Sequence, residues 1–426
     1  MPALDRRLRA LACIAAVACR ASGPAGPALG APAATADSGL AADSGGGEPA
    51  APGADEAAVR AAMSGARSPA EVVAEVAARG GLPVETSTGS FLFLCECGPG
   101  VWSFAGDGTG WSPVPMVALG GGWAALELDL GDAEGQRYKF TDGQAWIADP
   151  WGRRFAYDDF GRISVVRSGE AHLERWFGVA AAGLAPRPVD VWVPAGGRFT
   201  HLLVAQDGQN LFDPAALHGG WRLDAALPPG VLVAAVHNTA ARFDEYTFAP
   251  DDIGLGAPVG GRSADYAALV HEAVLPLIEA AYGSGAVRGL LGSSLGGLVS
   301  LDLAHRDPAA WDAALSLSGT LGWGSIGLDG PTLVDALAAA GPAGPVLYLD
   351  AGGGGPCADE DGDGVPDDAP ESSDNWCENA WARDRLAAAG YTLGADLFHW
   401  WEPGAPHTEA AWAARVSRPL DLFAAR

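Results

Sequence analysis

The segment Gly292-Ser293-Ser294-Leu295-Gly296 sets one serine in a glycine-flanked pentapeptide, after a short apolar run and before a helical pattern. That is the spacing of a nucleophile elbow, where strand and helix approach too closely for a side chain at the flanking positions. A serine hydroxyl is a weak nucleophile unless an imidazole takes its proton, and the imidazole needs a carboxylate to hold its tautomer. Of the eight histidines, His407 comes last, in the turn Gly404-Ala405-Pro406-His407. His399 falls within a strand pattern and His237 at the end of another, so both read as structural. The carboxylate is expected between the strand of residues 345–352 and a helix beginning near Asn379, where Asp350, Glu371 and Asp374 are candidates. A developing oxyanion needs two backbone N–H donors, one from Leu295 and one from the turn after residues 201–208. The spacing therefore predicts acyl-transfer chemistry at Ser294.

Such residues have to be carried on a sheet. From about Arg187 onward, apolar strands alternate with helical segments, which predicts an α/β fold with a mainly parallel sheet covered on both faces. Between about Leu82 and Val166 the pattern is instead short strands and turns, which predicts a small β-sandwich. Ser68-Pro69-Ala70-Glu71 predicts a helix start, and Gly80 and Gly81 its stop. The expected organisation is an export signal over 1–19, an Ala/Gly/Pro-rich disordered linker over 20–67, the sandwich over 68–167, a linker over 168–186 and the catalytic domain over 187–426.

The C-terminal motifs form a recognisable series: THLLVAQDGQNLFDP, RFDEYTFAP, YAALVHEAVLPLIEAAY, GSSLGG and GAPHTEAAWAAR. In that order they resemble the bacterial esterase family that includes enterochelin esterases, feruloyl esterases and mycolyltransferases, built on the α/β-hydrolase fold. The resemblance implies an acyl-enzyme mechanism, with Gln209 giving the second oxyanion N–H through its backbone and Trp221, Arg242, Glu245 and Tyr246 near the pocket. Members usually place the acid just after the strand, where this chain has Gly352-Gly353-Gly354-Gly355. Counting back from the following helix implies Asp374, with Glu371 and Asp350 as alternates. Likewise VWSFAGDGTGWSPVPM and YKFTDGQAWIADP resemble the early-set, immunoglobulin-like sandwich related to glycogen-binding modules. That likeness implies a sugar platform of Trp111, Lys139 and Trp146, and so a carbohydrate contact.

The segment after the four glycines has its own signal. Asp359-x-Asp361-x-Asp363-Gly364 alternates carboxylates that converge on a hard cation, and Asp367 fills a further ligand place, as in thrombospondin-type calcium repeats. A structural Ca2+ is expected there, with Asp368 or Glu371 closing the site, and no catalytic cofactor is expected. Cys357 and Cys377 bracket the loop, and in an exported chain a disulfide closing it is expected. Cys95 and Cys97, two apart on a strand, read as a pair of thiols on one face.

Composition narrows the partners. The 426 residues carry 26 Lys+Arg against 52 Asp+Glu, a formal charge of −26, which repels phosphate backbones and argues against nucleic acid. Arg6, Arg7 and Arg9 precede a short apolar run ending Ala16-Val17-Ala18-Cys19, an export signal in which Cys19 is either the residue after cleavage or a lipidated membrane tether. The expected protein is periplasmic, outer-membrane-anchored or extracellular, acting on a small-molecule ester. With an alcohol in place of water the same residues give an acyltransferase. A non-catalytic surface protein that holds glycans and calcium is the reading from another class.

Overall fold

The structure, a computed structural model, describes residues 53–368 and 374–426. The export signal with Cys19, most of the expected tether and Glu371 lie outside the described residues. No helix among them is long and apolar enough to cross a membrane. The chain divides into two compact units, meeting in sequence between Ser168 and Gly169.

The N-terminal unit has ten strands: β1 Val84–Glu85, β2 Phe91–Glu96, β3 Ser103–Gly106, β4 Val114–Pro115, β5 Val117–Gly120, β6 Trp123–Leu128, β7 Arg137–Thr141, β8 Trp146–Ile147, β9 Arg154–Asp158 and β10 Gly161–Val165. They form two antiparallel sheets, β1-β2-β6-β5 and β9-β10-β7-β3-β4, with β8 beside β7. Strand β2 explains the layering. Phe91, Phe93 and Cys95 point into an aromatic cluster with Phe104, Tyr138 and Phe140, where Phe93 and Phe104 lie 4.7 Å apart. Leu92 and Leu94, on the other face, meet Val59, Val72, Val73 and Val76 from two helices.

The first of those helices corrects the end of the linker expected over 20–67, and the second is the one expected to start at Ser68-Pro69. Residues Ala54–Met63 form a helix whose Ala58, Val59 and Ala62 are buried. Composition hid it, because three small apolar side chains suffice once a second helix, Pro69–Ala77, shares the cover of β2. Cys95 and Cys97 are also corrected: they form a disulfide rather than two thiols.

The C-terminal unit starts with β11 His172–Val179, in the stretch expected to be a linker over 168–186. It pairs antiparallel with β12 Arg187–Val193, opposing Glu174 to Val191 and Trp176 to Val189. Two adjacent charged residues, buried Glu174 and half-buried Arg175, masked it. Then come β13 His201–Ala205 and β14 Val231–Val236, a ribbon of β15 Pro250–Asp251 and β16 Val259–Gly260, and β17 Val287–Ser293, β18 Ala313–Leu317, β19 Val346–Ala351 and β20 Leu397–Trp401. The main sheet runs β20-β19-β18-β17-β13-β14-β12-β11. Every pair from β14 to β20 is parallel, while β12 is antiparallel to both its neighbours. This mixed sheet with helices is the arrangement of the α/β-hydrolase class. Strands β14, β18 and β19 are buried at every position, as a sheet covered on both faces requires. Strand order reverses between β13 and β17, so the loops at their carboxyl ends open into a common crevice.

Candidate active site

Ser294 sits where β17 turns into the helix Leu295–Arg306, with φ 55° and ψ −125°. Such a backbone is strained for a residue with a side chain and persists only where its surroundings enforce it. Here the Ser294 N–H donates to Leu317 O at 3.0 Å, and Ser294 O accepts from Thr320 N at 3.2 Å. The glycines are required by contact: a Cβ on Gly292 would stand 2.3 Å from Gly296 O, and one on Gly297 2.4 Å from Ser316 Oγ. Ser294 is 3 % exposed, and its Oγ lies 3.3 Å from Thr320 Oγ1.

The neighbouring crevice wall is the turn after β13. Gln206 N–H donates to Leu291 O, stitching that turn to β17. Asp207 adopts φ 57°, and its carboxylate is gripped by Arg242 through two bonds of 2.8 and 2.7 Å and by Asn238 Nδ2 at 2.6 Å. Gln209 turns its side chain away, Oε1 accepting from Asn238 N–H at 3.1 Å. Leu295 opens its helix, where first-turn N–H groups lack intrahelical partners. Glu245 forms a buried bidentate pair with Arg187, and Tyr246 OH accepts from Asp207 N–H, so both brace this wall. Trp221 is buried against Trp412, ring centres 5.9 Å apart.

His407 lies beyond β20, and its Nδ1 is 2.8 Å from Asp374 Oδ1. Asp374 is wholly buried and lies two positions before the helix Trp376–Ala388, which starts earlier than the expected Asn379. The glycines after β19 allow this. A Cβ on Gly352 would stand 2.5 Å from Asp374 Oδ2 and 2.2 Å from Ala405 O, and its N–H donates to Asp374 Oδ2. The alternate Asp350 is engaged elsewhere, accepting from Arg415 Nε at 3.1 Å and Tyr348 OH at 3.2 Å. Burial pushes its carboxyl up to about 6 against the pull of Arg415. His237 faces Asp190, and burial lowers His399 to about 4, in keeping with structural roles.

Sequence reasoning missed Ser318, Thr320, Asn375 and Arg415. Asn375 Nδ2 donates to Ser318 O at 2.9 Å and to Thr320 Oγ1 at 3.4 Å, so the residue after Asp374 reaches the neighbour of Ser294. The only signals were the place of Ser318 and Thr320 just after β18, of Asn375 next to Asp374, and of Arg415 about two turns past His407.

In the acidic loop, the carboxylates of Asp359, Asp361 and Asp363 come within 4.8 Å of one another. Asp367 stands outside that group, accepting from Glu360 N–H. Asp368 accepts from Trp376 and Cys377 N–H at the start of the helix that follows Asp374, and burial raises it to about 6. Cys357 and Cys377 form a disulfide. Half-buried Glu378, raised by desolvation, accepts from Gly322 N–H.

In the N-terminal unit, Trp111, Lys139 and Trp146 line one cavity of about 540 Å³ together with Arg137 and the exposed Phe160. The two indoles are 6.2 Å apart, and Lys139 Nζ donates to Phe160 O.

A family profile described as "putative esterase" matches residues 185–420. Among solved structures, the chain is similar to the ferric enterobactin esterase of Salmonella typhimurium, at 15% identity over 80% of this chain and 96% of that one, with a TM-score of 0.44. It is similar also to siderophore hydrolase EstA of Aspergillus nidulans, at 20% identity over 59% and 94%, TM-score 0.46. An IroE-like serine hydrolase of Shewanella oneidensis aligns at 16% identity over 59% and 80%, TM-score 0.46. No curated protein matches.

Proposed function

The chain belongs to the putative esterase family of ester-hydrolysing enzymes, and from that premise we propose a serine esterase working through an acyl-enzyme. Ser294 Oγ attacks the ester carbonyl carbon as its proton passes to His407 Nε2. Asp374 holds the opposite ring nitrogen. The backbone N–H groups of Leu295 and Gln209 receive the oxyanion. When the tetrahedral adduct collapses, the alcohol leaves with the proton from His407. Water then attacks the acyl carbon and gives its proton to the same nitrogen, and as the second adduct collapses that proton passes to Ser294 Oγ, releasing the acid and restoring the hydroxyl.

The observation that carries this reading is the buried 2.8 Å pairing of His407 with Asp374, in a chain whose nucleophile elbow is sterically complete. A p-nitrophenyl ester panel with phosphonofluoridate labelling tests it. One adduct per chain on Ser294 and loss of both turnover and adduct in Ser294→Ala are expected. Unchanged turnover in Ser294→Ala ends the proposal.

We further propose that the chain is exported, on the evidence of its N-terminal sequence; the cell fraction holding the mature chain, and mass spectrometry of Cys19, test this. The N-terminal unit is proposed to be an early-set, immunoglobulin-like sandwich whose aromatic cavity contacts carbohydrate. Indole faces beside a cation suit a sugar ring. Equal retention of wild type and Trp111→Ala/Trp146→Ala on immobilised glucans would refute that contact. The oxygen donors of Asp359, Asp361 and Asp363 fit a hard cation, and a structural Ca2+ is proposed there, neutralising the loop's charge.

A further inference from the structure

Donor counting fixes which oxygen of Asp374 is free to face His407. Ser318 Oγ accepts from Trp412 Nε1 at 3.0 Å and from Arg415 Nη2 at 2.6 Å. Indole and guanidinium only donate, so both lone pairs of that hydroxyl are taken and its single hydrogen points to Asp374 Oδ2, 2.8 Å away. The same Oδ2 receives Gly352 N–H and Arg415 Nη2, the latter at 3.0 Å. Three donors leave Oδ2 no room for a proton, so Asp374 meets His407 through Oδ1 alone. In the proposed mechanism the hydrogen of that contact rides on Nδ1 of His407, and Nε2 is the base.

Arg415 serves a second carboxylate as well. Its Nε donates to Asp350 Oδ1, and Asp350 also takes Ser318 N–H at 3.2 Å and the Tyr348 hydroxyl. Arg415 is 2 % exposed, and neither carboxylate is exposed at all. With both carboxylates ionised, as they are above the raised range of Asp350, they share one guanidinium and the sealed layer behind the imidazole carries one surplus negative charge. A surplus charge is costly inside a protein unless an opposite one answers it. The answering charge is the imidazolium formed when Ser294 gives up its proton; with it the layer sums to zero.

We infer that Ser318, Arg415 and Asp350 are positioning residues for the reaction at Ser294. Ser318 and Arg415 hold Asp374 as an acceptor-only carboxylate, and Asp350 supplies the surplus charge that favours the imidazolium. The inference rests on the serine-esterase reading. The other ionisable groups pressing on this centre are Asp368, which feels the charge of Asp374, and Glu409, which feels that of His407.

The test is the pH profile of kcat/KM on p-nitrophenyl esters for wild type, Arg415→Met, Arg415→Lys, Asp350→Asn, Ser318→Ala and Ser294→Ala, with folding checked by circular dichroism. Removing the cation should move the acid limb to higher pH, and removing the surplus anion should move it to lower pH, each by roughly half to one unit. Arg415→Met and Ser318→Ala should lower kcat ~10- to 100-fold while KM stays within about threefold. Arg415→Lys should return the limb to its wild-type position. General damage would not produce opposite shifts. Limbs that stay in place, or move together, in folded variants overturn the inference while an inactive Ser294→Ala keeps the esterase reading. An active Ser294→Ala removes both. Should Arg415→Met fail to fold, the downward shift in Asp350→Asn and the kcat loss in Ser318→Ala still decide the matter.

Discussion

His407 Nδ1 and Asp374 Oδ1 meet at 2.8 Å across 33 positions of chain, and the carboxylate reaches the imidazole from a different loop, not from the strand end beside it. Asp374→Asn keeps the shape and places an amide opposite the ring, favouring the wrong tautomer. Its kcat should fall about 10³- to 10⁴-fold with KM little changed, by initial rates on p-nitrophenyl esters. Asp350→Asn, which does not touch the imidazole, should cost far less than Asp374→Asn.

Gly352 is fixed by space alone. An added methyl group would overlap Ala405 O and Asp374 Oδ2, so Gly352→Ala should cost about 1–3 kcal/mol in denaturant unfolding. By displacing the acid it should also cost on the order of 100-fold in kcat. A wild-type rate would mean that the acid is not needed where it sits.

The loop between the two cysteines should report on calcium and oxidation separately. The Cys357–Cys377 link spans 20 positions, and replacing both cysteines by alanine should lower stability by roughly 3 kcal/mol if unfolding is two-state. Added Ca2+ should raise the thermal midpoint of wild type, and Asp361→Asn should lose that gain. An unmoved midpoint in wild type over millimolar Ca2+ would remove the metal from the proposal.

In the N-terminal unit, burial raises the Asp149 carboxyl to about 6, opposed by the Trp151 N–H and the Tyr138 hydroxyl that donate to it. Folding therefore favours its protonated form. That stability is fully present below the unfolded value of 3.8 and is lost as pH rises through about 6. Relative to Asp149→Asn, wild type should lose on the order of 3 kcal/mol between pH 4 and pH 7 in urea titrations. Parallel curves for the two proteins would refute the shift.

The buried pair of Arg187 and Glu245 braces the wall opposite the elbow. Glu245→Ala strands a cation with no exposure to water and should cost about 3–5 kcal/mol. A midpoint of denaturation within error of wild type would show that the pair is dispensable.

Legibility in the sequence followed how many residue types a position tolerates. Gly292 and Gly296 around Ser294 were readable because the turn leaves little or no room for a side chain at those glycines, and His407 because imidazole is scarce. The parallel sheet was readable from runs such as VLVAAV, apolar on both faces. Strand β11 was not, since the consecutive charges of Glu174 and Arg175 interrupt its apolar pattern, and neither was the helix Ala54–Met63, whose buried face is mostly alanine. Ser318 and Arg415 were invisible for another reason. Serines and arginines are common, and only the folded chain shows that these two, 97 positions apart, converge on one carboxylate oxygen.

Because Gly352 offers Asp374 nothing but its own main chain, the end of β19 works as a socket that accepts a carboxylate delivered on a detachable arm. The sulfur bond from Cys357 to Cys377 ties both ends of that arm to the body. A protease that nicked the arm between Asp359 and Asp368 would thus leave two fragments still joined, with Asp374 seated against His407, and the cleaved enzyme should go on turning over.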